Sequence, residues 1–68
     1  MEISARNQLN GTVRSVRLGA VMSEVVLDIG GQEVVAAITR SSVERMGLQE
    51  GSEAIAVIKA TDVMVATP

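Results

Sequence analysis

The sequence has no cysteine, no histidine, and no phenylalanine, tyrosine or tryptophan. Without cysteine there is neither a disulfide nor a thiolate metal site. Without histidine the commonest transition-metal ligand and the usual general base are missing. Without aromatics the core must be assembled from Val, Ile, Leu, Met and Ala. Lysine occurs once, at Lys59, so an amine base beside a nucleophile has a single source. The acids Glu24, Asp28, Glu33, Glu44, Glu50 and Glu53 are scattered along the chain. They form neither a calcium-type loop nor the paired carboxylates of glycoside hydrolysis. The expectation is a protein that is not an enzyme.

Basic charge is also scarce. Six basic against eight acidic residues give a net charge of -2, whereas nucleic-acid binders carry a basic footprint and single-strand binders add stacking aromatics. A nucleic-acid-binding OB domain is the less favoured alternative on both counts. No apolar run approaches the ~20 residues of a membrane helix. Met1-Glu2-Ile3-Ser4 lacks the basic and apolar regions of a secretory signal. These features predict a cytoplasmic location with no membrane partner.

What is present is short apolar strands. The 68 residues allow a single domain, residues 1–68. A domain this small buries only ~60% of its unfolded surface and needs a staple. With disulfides and metals excluded, the staple is a partner chain, and a hydrophobic content of 47% supplies the surface for it. Glycines at 19, 30–31, 47 and 51 cut the chain into runs. The first spans about Ile3 to Leu18. Its apolar parity switches between Val13 and Val16, which predicts a bulge near Arg14-Ser15 or burial of both faces. The second run, Ala20 to Ile29, places Val21, Ser23, Val25, Leu27 and Ile29 on one face. Gly30-Gly31 reads as a tight hairpin into the third run, Gln32 to Thr39. Ser41 to Gly47 reads as a short helix with a Ser41/Glu44 capping box and a left-handed glycine at its end. There Val43 and Met46 could plug the end of a barrel. A fourth run covers Ser52 to Ala60 and a fifth Asp62 to Ala66. Three strands, a short helix and two strands is the order of an all-β, OB-like five-stranded barrel. Runs three to five are apolar on both parities, as expected if one face packs the core and the other a neighbouring subunit.

Two segments carry donors. Ser4, Arg6 and Gln8 share a face by alternation, and Lys59-Ala60-Thr61 closes a strongly apolar run. The first and fourth strands of such a barrel pair antiparallel, so Ser4, Arg6, Lys59 and Thr61 could converge into an oxyanion site. On spacing alone the plainer reading is favoured. In it Ser4 and Arg6 are solvated, Arg6 bridges weakly to Glu2 or Asp62, and Lys59 reaches out to water. Arg14, Arg17, Arg40 and Arg45 read as solvated or interface charges.

The opening Ile3-Ser4-Ala5-Arg6-Asn7-Gln8-Leu9 resembles the signature of the molbindin (Mop) family. Ala36-Ala37-Ile38-Thr39, Gly47-Leu48, Glu50-Gly51 and Val57-Ile58-Lys59-Ala60-Thr61 also sit where that family has similar runs. The resemblance covers essentially the whole chain. It implies an OB-like barrel in a hexamer built as a trimer of dimers, with molybdate or tungstate as ligand and no cofactor. It also implies anion contacts from Ser4, Ala5 and Arg6 and from Lys59, Ala60 and Thr61, with Ala5 and Ala60 acting through backbone N–H. The role implied is intracellular molybdenum storage or homeostasis. A structural oligomerisation module without anion binding is the alternative.

Overall fold

In a computed structural model covering residues 1–68, four strands and one short helix follow in order: β1 (Asn7–Leu18), β2 (Met22–Ile29), β3 (Gln32–Thr39), α1 (Arg40–Met46) and β4 (Glu53–Ile58). A single 3-10 turn, Ala60–Asp62, comes after β4. The strands form one antiparallel sheet in the order β3-β2-β1-β4.

Local chemistry accounts for most of the elements. Gly30 and Gly31 both have positive φ, 59° and 89°, the geometry a two-residue turn needs to match strand twist. Asp28 Oδ1 accepts from the Gly31 N–H at 2.9 Å and holds that turn. The expected bulge is real: the β1–β2 register slips between Val13 and Ser15. Before the slip Val13 faces inward opposite Leu27, and after it Val16 faces inward opposite Val25. The extra residue, Arg14, is thereby turned to the outer face. Val13 bonds across to the 51–52 turn instead, donating to the Ser52 carbonyl at 2.8 Å and accepting from Gly51 N–H at 2.9 Å. At Gly11, between β2 and β4, a Cβ would run into the Asp28 carbonyl oxygen and the Ile29 side chain. That close backbone approach admits only glycine.

The helix is where expected, but its cap is not. Thr39 is the capping residue, its hydroxyl accepting from Ser42 N–H at 3.1 Å. The Ser41/Glu44 box does not form. β3 runs on to Thr39, so the last strand residue already has the extended backbone of a cap, and Ser41 lies inside the helix. Glu44 turns to Arg40 instead, 3.7 Å away. Gly47 ends the helix at φ 63° as expected. Val43 plugs the core, but Met46 is left exposed.

The core is small. Val13, Val25, Leu27, Val43 and Ala56 are its fully buried members, and Ser23 is buried with them, its hydroxyl accepting from Gly19 N–H at 3.4 Å. Val21, expected on the inner face, is 72% exposed because it lies in the turn before β2 begins. The outer faces of β3 and β4 expose Val35, Ile55 and Val57.

The five-stranded barrel is corrected in one respect: the sheet has four strands and is not closed. The run Asp62 to Ala66 forms no strand. After Ile58 the chain bends into the 3-10 turn, with Asp62 N–H donating to Lys59 and Val63 N–H to Ala60. It does not reverse onto β4, so the run gains no ladder partner. An apolar trough of about 680 Å³ is left, lined by residues from β2, β3 and β4, among them Leu27, Ala36, Ile38, Ala54 and Ala56.

Candidate functional site

The site residues are best located from the β1–β4 pair. Its register runs from Thr12↔Glu53 to Asn7↔Ile58. Asn7–Ile58 is the last rung, and beyond it the two chains continue as Arg6 and Lys59. The antiparallel pairing expected from the sequence therefore brings the two donor segments to one end of one strand pair. The rung order needs no long-range coincidence: Gly11↔Ala54 sits at the tight crossing, and apolar Leu9 and Ala56 pair between it and the site end.

The side chains do not close on one another. Ser4, Arg6, Lys59 and Thr61 are exposed and Ala5 is half-buried. None of those four side chains holds a hydrogen bond or an ion pair within the chain. The weak bridge from Arg6 to Glu2 or Asp62 is not formed either. Gln8, on the same face as Arg6, donates from Nε2 to the Ala5 carbonyl at 3.0 Å and bends the segment before β1. Lys59 is extended (φ -66°, ψ 137°) as it enters the turn that carries Ala60 and Thr61. The result is an open donor surface with two cations and two hydroxyls, unfilled by any carboxylate of its own chain. Such a surface can accept a compact anion.

Arg14 has a different environment. Its two guanidinium nitrogens contact Asp28 at 3.0 Å and Glu33 at 2.9 Å. These bonds, that to Asp28 foremost, raise the Arg14 pKa further above its ordinary value. The Asp28 carboxyl is held below its ordinary value, first by the Gly31 N–H and then by Arg14. Arg14 is thus a clasp across β1, β2 and β3 rather than a solvated charge. The bulge parity was the available signal, since it turns Arg14 outward onto the face of Asp28 and Glu33.

A match to the TOBE domain covers residues 3–65. The chain belongs to the TOBE domain family, and within it to the molbindin group that its opening residues resemble. It is 54% identical over 66 residues to molybdenum-pterin-binding protein 3 of Clostridium pasteurianum, across 96% of this chain and 97% of that one. Its fold is similar to that of a molybdate-binding protein from Sporomusa ovata, with a TM-score of 0.94 and 43% identity over 98% of this chain and 100% of the other. It is also similar to the cytoplasmic molybdate-binding protein ModG in a molybdate-bound form. There the TM-score is 0.84 and the identity 43%, over 88% of this chain and 43% of that one.

Proposed function

We propose that this protein binds molybdate or tungstate as the intact oxyanion at interfaces between its own subunits, in the cytoplasm, as a molybdenum store or buffer and not as an enzyme. The binding names of its relatives support the ligand class. One observation of this chain carries the reading: the β1–β4 pair ends at Asn7–Ile58 and releases both donor segments from the same rung. Ser4, Arg6, Lys59 and Thr61 would contact oxygens through side chains, and Ala5 and Ala60 through backbone N–H. The open arrangement in one chain supports a site completed by a second chain. A hexamer built as a trimer of dimers fits that need, and the fifth run would complete each five-stranded barrel in the assembly.

The chemistry suits the ligand. Molybdate is a tetrahedral dianion with four acceptor oxygens and no proton at neutral pH, so a site made only of donors matches it. Phosphate commonly keeps a proton and would also need an acceptor. Sulfate carries the same charge but is smaller, so cavity size must separate the two. Arg6 and Lys59 brought together in an interface without a carboxylate cost several kcal/mol. The anion offsets that cost, so ligand stabilises the assembly through linkage.

Isothermal titration of anion-free protein with molybdate, sulfate and phosphate tests this. Tight molybdate binding with much weaker sulfate is expected. Removing both cations in an R6A/K59A variant deletes two charge-assisted contacts of about 2–5 kcal/mol each, so affinity should fall by roughly 1,000-fold or more. Unchanged molybdate affinity in that variant would overturn the site. No binding of any of the three anions would favour a purely structural oligomerisation module.

A further inference from the structure

We infer that Gln8 is a positioning residue for the anion site: its side-chain amide holds the Ala5–Arg6 peptide and engages the one acceptor that could turn toward the ligand. This role rests on the oxyanion reading above, and within it assigns what shapes the donor segment before an anion arrives.

The donor segment has a single tether. The β1–β4 ladder begins at Asn7, paired with Ile58, and residues 1–6 lie outside the sheet. None of the backbone hydrogen bonds formed outside the strands and the helix involves residues 1–6. Among side-chain hydrogen bonds and ion pairs, the bond from Gln8 Nε2 to the Ala5 carbonyl, 3.0 Å, alone reaches that segment. It is the only hydrogen bond that ties Ser4-Ala5-Arg6 to the strand carrying it.

The bond acts on the right group. An oxyanion is attracted by N–H and repelled by a carbonyl oxygen, so a backbone that is to bind one must have its carbonyls occupied elsewhere. Gln8 occupies that of Ala5 and leaves the Ala5 and Arg6 N–H groups unbonded within the chain. The Ala5–Arg6 peptide is trans, so fixing its C=O also fixes the opposite direction of the Arg6 N–H. The second donor segment follows the same pattern with backbone groups. There the Lys59 carbonyl accepts from Asp62 N–H at 2.8 Å and the Ala60 carbonyl from Val63 N–H at 3.4 Å. The first segment has no turn to do this, and a side chain does it instead.

Gln8 is suited to the task. Its backbone is fixed in the rung Gln8↔Val57, and strand alternation puts its side chain on the face of Arg6. A neutral amide can bond a carbonyl without changing the charge beside Arg6 and Lys59. A carboxylate there could not donate and would oppose the anion. Gln8 is exposed, and its cross-strand neighbour Val57 offers it no polar group. Ordering its side chain costs rotamer entropy, and a solvent-exposed bond adds little to the fold. What the bond supplies is a preorganised donor segment.

Gln8→Met keeps an unbranched side chain and removes the donor. In anion-free protein the heteronuclear NOEs of the Ala5 and Arg6 amides should fall relative to the parent, with the unfolding midpoint and the sedimenting mass unchanged. In isothermal titration Gln8→Met should bind molybdate about five- to tenfold more weakly, the worth of one hydrogen bond. Weaker binding with unaltered NOEs at residues 5 and 6 would overturn the role, since Gln8 would then act on the ligand directly. A lowered midpoint or mass would also overturn it, by making Gln8 a structural residue. Equal affinity in both chains would overturn the role of Gln8 and leave the oxyanion reading standing. No molybdate binding by the parent chain would overturn that reading and this role with it.

Discussion

The three-strand meander, residues 7 to 39, and the two flanks, residues 1–6 and 59–68, follow opposite rules. In the meander each turn is fixed locally. Gly30-Gly31 adopts the backbone that the hairpin demands, Asp28 pins it, the bulge re-aims Arg14, and Val13, Val25 and Leu27 supply most of the core. In the flanks no strand forms and almost every residue is exposed. The flanks nevertheless hold the donor segments and a strand-like apolar run. The contrast separates a middle that folds on local signals from ends whose donors and apolar side chains find no partner within the chain. Met64 and Val65 are the plainest case, large apolar side chains left almost wholly exposed.

Four substitutions or conditions sharpen this division, in descending order of expected effect. The largest is Leu27→Ala, which truncates a core member on the trough floor and should cost about 2–5 kcal/mol by denaturant unfolding. A comparable loss from Ile3→Ala would erase the distinction between middle and flank. Next is Gly11→Ala, whose Cβ meets the Asp28 backbone and should cost about 1–3 kcal/mol, read as a lowered unfolding midpoint. It should also loosen the β1–β4 pair that delivers the donor segments. Third, Thr39→Ala removes the helix cap and should cost about 1 kcal/mol. Ser41→Ala, one turn into the same helix, should change the unfolding free energy far less. Equal effects would show that the cap lies elsewhere.

The smallest effect is the pH dependence of the clasp. The folded Asp28 pKa lies below its unfolded value. Its stabilisation is therefore complete above the unfolded carboxylate range and is lost as pH falls through the folded pKa. Unfolding midpoints measured from neutral pH into the acid range should fall less steeply in Asp28→Asn than in the parent chain. Arg14 is exposed, so solvent screening keeps this contribution small. Parallel acid profiles for the two proteins would remove Asp28 from the clasp.

Much of the fold was legible because its signals are short-range. Paired glycines, a parity slip at Arg14-Ser15 and a glycine after Met46 each dictate a local backbone state, and the structure has all three. The donor segments were legible as residue types, and their arrival at one end of β1–β4 followed from the expected strand order. The helix cap was misplaced because Ser41 and Thr39 are both good caps, and only the length of β3 decides between them. The Arg14 clasp was missed because its partners lie 14 and 19 residues away. The fifth strand failed for a different reason: alternation reports that a run suits a strand, not that an edge in its own chain is within reach.

The amino-acid sequence by itself determined four of the five strand runs, the hairpin, the parity slip behind the bulge and the family, because each rests on residue type and near-neighbour spacing. Only the tertiary structure decided that the barrel stays open between β3 and β4, that Arg14 is tied to Asp28 and Glu33, and that residues 59–68 stand away from the core. Those outcomes depend on which backbone edges and charges meet across the fold, and no local pattern of residues encodes that.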